Sequence, residues 1–544
     1  MFRKQAVTIA IVALAALTLT GCTLFMAASP PNEAPQEEPL PPAEERSEGE
    51  ALMDLAEEEV QFAEAAPGAA ALMPSPLPTA AALAAPQAGE MPVDMFFQDY
   101  GTNPFIDASA DNLSTFAVDV DTGSYTLARS YINGGYLPPS EAIRVEEFVN
   151  YFEQDYPVPQ DRAFNIIMDA APTPFSESGS FVMRVGIQGY DIPQDARPAA
   201  NLIFVIDVSG SMEGPERLGA VKHALTTLVE NLRPTDSIGI VVYGSVGRKV
   251  LEPTPVAERA TILRAIESLQ SEGSTNAEEG LRLAYEMATA HYRPGSINRL
   301  ILCSDGVANV GATGPDVILQ TVRQQARDGI TLTTVGFGMG NFNDVLMEQL
   351  ADDGDGQYYY VDTQNEAARI FTHGLTGTLL TIARDAKIQV EFNTDVVRSY
   401  RLIGYENRDV ADQDFRNDAV DAGEIGAGHS VTALYEVVPL QGAGGIVATA
   451  RLRWADPESG EVTEIEQSLD SSQIARSFEQ APVRFRLDVA VAAFADRLGQ
   501  GPWAQSAGTA GLAQMVQELA SGELANDNAV VELADLIVRA NSIQ

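Results

Sequence analysis

Five residues spread over about a hundred positions carry oxygen atoms where a folded chain can gather them: Asp207, Ser209, Ser211, Thr275 and Asp305. The first three lie where the apolar run Phe204-Val205-Ile206 gives way to Asp207-Val208-Ser209-Gly210-Ser211. A buried parallel strand reads as such a run, and open α/β sheets bind ligands outside the carboxyl ends of their strands. Thr275 stands in the loop Gly273-Ser274-Thr275-Asn276, and Asp305 directly follows a second apolar run, Leu300-Ile301-Leu302-Cys303-Ser304. Three crossings of one sheet would therefore deliver carboxylate and hydroxyl oxygens to one crevice. Such a donor set suits a hard cation, and Mg²⁺ takes an octahedron of about six oxygens at roughly 2.1 Å.

The elements that must position these groups alternate in type. Apolar strands are expected at 202–206, 238–243, 299–303, 331–337 and 357–361, with a short antiparallel edge strand at 249–252. Amphipathic helices are expected at 215–232, 256–269, 277–291, 316–328 and 344–351, and a last one from Glu366. This βα alternation predicts an α/β fold, a doubly wound, mostly parallel sheet covered by helices on both faces, over 199–381.

The motif Asp207-x-Ser209-x-Ser211 with the distant Thr275 and Asp305 resembles the metal-ion-dependent adhesion site of von Willebrand factor type A domains. The resemblance implies that the serine and threonine hydroxyls approach a Mg²⁺ directly and that the two Asp act largely through water. Mn²⁺ and Ca²⁺ are the alternative ions. Few anionic groups then touch the ion, so it stays electrophilic and accepts a carboxylate from a partner. The output implied is adhesion to a protein presenting Asp or Glu, not turnover.

The flanks resemble bacterial envelope proteins of the YfbK-like type. The similarity rests on Tyr100-Gly101-Thr102-Asn103-Pro104-Phe105 and Val145-Glu146-Glu147-Phe148-Val149-Asn150-Tyr151-Phe152 on one side of the central stretch. On the other it rests on Tyr400-Arg401-Leu402-Ile403-Gly404-Tyr405-Glu406-Asn407-Arg408 and Asp421-Ala422-Gly423-Glu424-Ile425-Gly426-Ala427-Gly428-His429. Periodicity makes 95–198 a small α+β module, 382–478 a β-rich module with Gly-rich turns, and 479–544 helical.

At the start of the chain, Arg3 and Lys4 precede an apolar stretch too short for a comfortable membrane span, and Leu19-Thr20-Gly21-Cys22 resembles a lipoprotein box. The expectation is a signal peptide over 1–21 and lipidation at Cys22, with acyl chains anchoring the protein outside the cytoplasm in the cell envelope. In a two-membrane bacterium, Thr23 after the cysteine points to the outer membrane. Residues 22–94 are rich in Pro, Ala and Glu and nearly free of aromatics, a composition that reads as an acidic tether.

A formal net charge of -42 argues against nucleic acid as a partner, because phosphate binding needs clustered Lys and Arg. No Gly-rich phosphate loop is present, which argues against a nucleotide. Cys303, inside an apolar strand, is expected to be a buried inert thiol.

One enzyme-like motif stands apart. Asp121-Thr122-Gly123-Ser124 after Val118 and Val120 resembles the active-site turn of aspartic proteases, whose chemistry needs two carboxylates sharing one proton. No second Asp-Thr-Gly or Asp-Ser-Gly occurs. The favoured expectation is therefore a non-enzymatic, lipid-anchored binding module. The alternatives are an envelope hydrolase using Asp121, and a scaffold whose metal site goes unused.

Overall fold

A computed structural model describes residues 95–543 apart from 176–178, 307–314, 339–342, 374 and 504–507. The signal peptide, Cys22 and the tether lie outside the described residues. Among the described residues no helix is long and apolar enough to cross a membrane.

The central stretch folds as the alternation predicts. Its sheet has six strands in the spatial order Tyr358–Val361, Thr331–Phe337, Ile297–Ser304, Ala200–Asp207, Ser237–Tyr243 and Gly247–Pro255. The first five run parallel and the last is antiparallel. Every residue of Ala200–Asp207, Ser237–Tyr243 and Thr331–Phe337 is buried, because helices cover both faces. Leu218–Asn231 and Arg259–Glu267 pack on one face around Phe204, Ile240 and Val335. Ala277–Ala290, Pro315–Arg327 and Asp344–Asp352 contribute to the core on the other face, around Val205, Leu302 and Leu332. Cys303 sits in this sheet, 2% exposed, and burial pushes its thiol pKa up.

The flanking stretches depart from the two separate modules that the sequence suggested. Their strands share two five-stranded antiparallel sheets that sandwich one core. In one sheet Phe164–Pro172 pairs with Phe181–Gly189, which pairs with Ser430–Pro439, where Met183 stands opposite Tyr435. In the other, Leu113–Ala117 pairs with Thr381–Phe392, where Phe116 stands opposite Ile388. Phe116, Val185, Ile388, Tyr400, Tyr435 and Leu452 from both stretches meet in the apolar layer between the sheets. The physical reason is edge satisfaction: the strands before residue 198 are too few to close their own sheet, and their unpaired N–H and C=O groups need partners.

The helical region is likewise shared. Val483–Leu498, Thr509–Ser521 and Asn528–Ser542 pack against Gly123–Asn133 and Val145–Asn150, with the Phe148 and Phe494 rings 6.3 Å apart. Asp488 accepts from Arg184 Nη1 at 2.7 Å and from Gln154 Nε2 at 2.9 Å, tying the first of these helices to the sandwich. The central domain is thus an excursion from the sandwich, leaving it after Gly189 and returning at Thr381.

Gly423–Gly426 forms a strand, and the turn expected at Gly426-Ala427-Gly428 follows it at Ala427 and Gly428. A Cβ on Gly423 would sit 1.8 Å from the Val118 carbonyl oxygen, and one on Gly426 would sit 2.1 Å from that of Gly377. Gly423 and Gly426 mark close backbone approach within the strand.

Candidate metal centre

Asp207 ends its strand with its side chain fully buried, and three hydrogen bonds lead from it towards solvent. Its Oδ1 accepts the Ser209 backbone N–H at 2.8 Å, a turn that throws the chain across the strand end. The Ser209 and Ser211 hydroxyls lie 3.0 Å apart, and the Ser211 hydroxyl donates to Asp305 Oδ1 at 3.1 Å. Asp207 is 0% exposed and Asp305 7%, whereas Ser211 is exposed, so the cluster opens outward. Four of the five expected residues are joined in this way from two adjacent parallel strands.

Thr275 reaches the same rim through the backbone of its loop. Val208 C=O accepts the Glu272 N–H at 2.5 Å, and the Gly210 N–H donates to the Gly273 C=O at 3.0 Å. Gly273 has φ +72°, and a Cβ there would fall 2.0 Å from Ser245 Oγ, the atom that accepts the Ser274 N–H at 3.1 Å. Only glycine fits that bend. Asn276 then caps the helix Ala277–Ala290 by accepting the Glu279 N–H. Thr275 itself is half-buried, two residues beyond the Gly273 carbonyl that meets Gly210.

Two contributors are not legible in the motif. Ser304 Oγ donates to Asp207 Oδ2 at 3.0 Å and accepts the Gly306 N–H at 3.1 Å, which fixes the inner carboxylate from the neighbouring strand. Arg217 places Nη1 3.6 Å from Asp305 Oδ2 and donates to the Ser211 carbonyl. A serine before Asp305 and an arginine six residues after Ser211 are ordinary in sequence, so nothing flagged them.

Burial pushes the Asp207 carboxyl up, against the Ser209 and Ser304 hydrogen bonds that hold it down. Burial, then the neighbouring Asp207, raises Asp305 to about 6. Two carboxylates are drawn together out of water with one guanidinium beside Asp305 alone, and a divalent cation relieves the remaining repulsion. The donor set is all oxygen, carboxylate and hydroxyl, and fits Mg²⁺ better than a thiophilic or imidazole-seeking metal.

A second carboxylate group, Asp119, Glu147 and Glu348, gathers at the junction of the central domain and its flanks. It belongs to an ion-pair network. Arg408 contacts Asp119 at 3.1 Å, Glu348 at 3.0 Å and Asp352 at 2.8 Å, while Arg144 contacts Asp344 at 2.8 Å and also pairs with Glu147. Burial pushes Glu147 and Glu348 up to about 7.

Asp121, the candidate of the hydrolase reading, lies in the same network. It is 3% exposed, its Oδ1 accepts the Tyr358 N–H at 2.9 Å, and its Oδ2 is 3.6 Å from Arg408. Ser124 donates its hydroxyl to the Ala142 carbonyl, and its N–H to Glu147. These groups brace the fold.

Family profiles match three stretches of the chain. Residues 201–373 match the von Willebrand factor type A domain, 377–449 match "Uncharacterized protein YfbK, C-terminal", and 92–183 match a profile described as von Willebrand factor. The chain is 42% identical over 349 residues to the protein YfbK of Escherichia coli (strain K12), an alignment covering 63% of this chain and 60% of that protein. It is 27% identical over 299 residues to protein sll0103 of Synechocystis, covering 51% of this chain and 67% of the relative. Among solved structures, "von Willebrand factor type A from Catenulispora acidiphila" aligns with 17% identity and a TM-score of 0.41, covering 72% of this chain and 89% of that one.

Proposed function

The chain is a YfbK-like protein with a central von Willebrand factor type A domain and a YfbK C-terminal region, and from that premise we propose that it captures a protein ligand through a metal held by Asp207, Ser209, Ser211, Thr275 and Asp305. Domains of this type often mediate protein–protein interaction and metal-dependent binding. The observation that supports the finer reading is the hydrogen-bonded run from buried Asp207 through Ser209 and Ser211 to Asp305. It presents oxygens of the right class at the carboxyl ends of parallel strands, where α/β sheets bind ligands.

When bound, Mg²⁺ supplies an open coordination position for a carboxylate oxygen. The chain's own residues do the rest. Asp207 and Asp305 provide the charge, the hydroxyls of Ser209, Ser211 and Thr275 provide neutral oxygens that leave that charge partly unspent, and Ser304 holds Asp207 in place. The ligand class is a protein surface presenting Asp or Glu. The setting is the cell envelope, with Cys22 as the lipid attachment point.

Two measurements on wild type and Asp207→Ala test this. Wild type gains thermal stability with Mg²⁺ and loses it in chelator, and it retains partner protein from an envelope extract only when the metal is present. Asp207→Ala keeps the fold, shows no Mg²⁺-dependent shift and captures nothing above background. Equal capture by both proteins in chelator sinks the proposal.

A further inference from the structure

Arg217 brings a cation to the mouth of this centre, and the fold makes room for it. It stands at the N-cap of the helix Leu218–Asn231, yet its side chain makes no capping bond. The arm instead crosses towards the strand ends, 11% exposed, with Nη1 donating to the Ser211 carbonyl and lying 3.6 Å from Asp305 Oδ2. Its aliphatic stem lies against Gly338, which follows the neighbouring strand Thr331–Phe337. A Cβ on Gly338 would sit 2.5 Å from Arg217 Cγ and 3.1 Å from Cδ, and the backbone there has φ +76°. Glycine at 338 both permits the turn and leaves the slot that the arginine stem fills.

The charge sum gives this arm a purpose. Asp207 and Asp305 together carry two negative charges, and a divalent cation cancels them. Arg217 then leaves the centre with one net positive charge, in surroundings where burial strengthens electrostatics. A cation beside the site opposes the metal and favours an anion. A guanidinium is also planar and forked, matching the two oxygens of a carboxylate better than any other side chain does.

Resting on the adhesion reading above, we propose that Arg217 is the specificity-determining residue of the centre, selecting a carboxylate over a neutral oxygen ligand at the expense of metal affinity. One oxygen of the ligand carboxylate goes to the metal's open position and the other to the Arg217 guanidinium.

The test uses Mn²⁺ as a relaxation reporter in the full chain, with N-acetyl-aspartate methylamide and its asparagine counterpart as probes. Water-proton relaxation reads Mn²⁺ binding directly, and the loss of an ion-bound water reads probe binding. In wild type the aspartate probe displaces water at lower concentration than the asparagine probe. Arg217→Gln binds Mn²⁺ at least as tightly, needs about tenfold more aspartate probe, in line with loss of one charge-assisted pair, and loses the preference over asparagine. Arg217→Lys recovers part of it. Unchanged aspartate affinity in Arg217→Gln overturns the inference and leaves the metal reading standing. A parallel loss of Mn²⁺ and probe binding also overturns it, by assigning Arg217 a structural role. If wild type binds no Mn²⁺, or binds it equally well with Asp207→Ala in place, the adhesion reading itself falls.

Discussion

Asp121 Oδ1 accepts the Tyr358 backbone N–H at 2.9 Å, so a carboxylate from the stretch before the central domain completes the hydrogen bonding of that domain's outermost strand. Asp121→Ala leaves a buried N–H without an acceptor and Arg408 without one of its carboxylates. The expected loss is about 3 kcal/mol of unfolding free energy, read from urea denaturation. A loss under about 1 kcal/mol would mean that the contact is dispensable.

Ser304 holds Asp207, and through it would act on the proposed metal centre. Removing its hydroxyl frees the inner carboxylate to rotate, and outer-sphere partners of this kind typically contribute 10- to 100-fold in metal affinity. Ser304→Ala should weaken Mg²⁺ binding by about tenfold in a calorimetric titration, while the metal-free protein melts within a few degrees of wild type. Unaltered Mg²⁺ affinity would remove Ser304 from the site.

His429 gives the fold an acid limit. Burial, then the charges of Arg369 and Arg299, lowers its pKa from 6.5 to about 4. The folded protein therefore takes up the proton less readily than the unfolded chain. The associated stability is complete above pH 6.5 and is lost as pH falls through 4, by about 3 kcal/mol in total. Glu147 and Glu348, raised to about 7, act in the opposite direction, so the wild-type profile alone is ambiguous. The difference between wild type and His429→Gln isolates the term: it should shrink by about 3 kcal/mol in favour of the variant from pH 7 to pH 4. A flat difference would show that the ring is accessible to protons in the native state.

Gly423 tests the shared sandwich. With a Cβ 1.8 Å from the Val118 carbonyl oxygen, Gly423→Ala must push the strand Gly423–Gly426 away from the segment leading into Gly123–Asn133. The expected cost exceeds about 3 kcal/mol, and protease cleavage should appear on both sides of the central domain together. Cleavage confined to the residues after 381 would mean that the two flanks fold independently.

The central domain was the most legible part of the chain because its strands are consecutive apolar runs whose partners lie nearby in sequence. The positions of Asp207, Ser209, Ser211 and Asp305 followed from that alternation, since residues at the ends of adjacent parallel strands must converge. The sandwich was less legible. Phe181–Gly189 and Ser430–Pro439 each read as strands, but no local pattern says that Val185 lies opposite Ala433 across almost 250 residues. Ser304 and Arg217 escaped for another reason: each acts through its position beside a carboxylate, and neither residue type is unusual where it stands. Asp121 shows the converse, a motif with the spelling of chemistry whose burial turns it into a brace.

The excursion of the central domain from the sandwich has a mechanical consequence. Asp207 ends the strand Ala200–Asp207, eight residues or roughly 25 Å from where the chain enters it. At the far end of the sheet, Arg299 donates to Thr378 C=O and to Thr381 Oγ1, beside the point of return. A pull on Asp207 therefore runs the length of the sheet before it meets the chain connections, while Arg129 on Asp362, Arg144 on Asp344 and Arg408 on Glu348 tie the domain sideways to its flanks. There it divides between two covalent strands of chain, one on each side of the domain. Tension of this kind is resisted along hydrogen-bonded strands in shear, and peeling the domain away would require both attachments to yield at once.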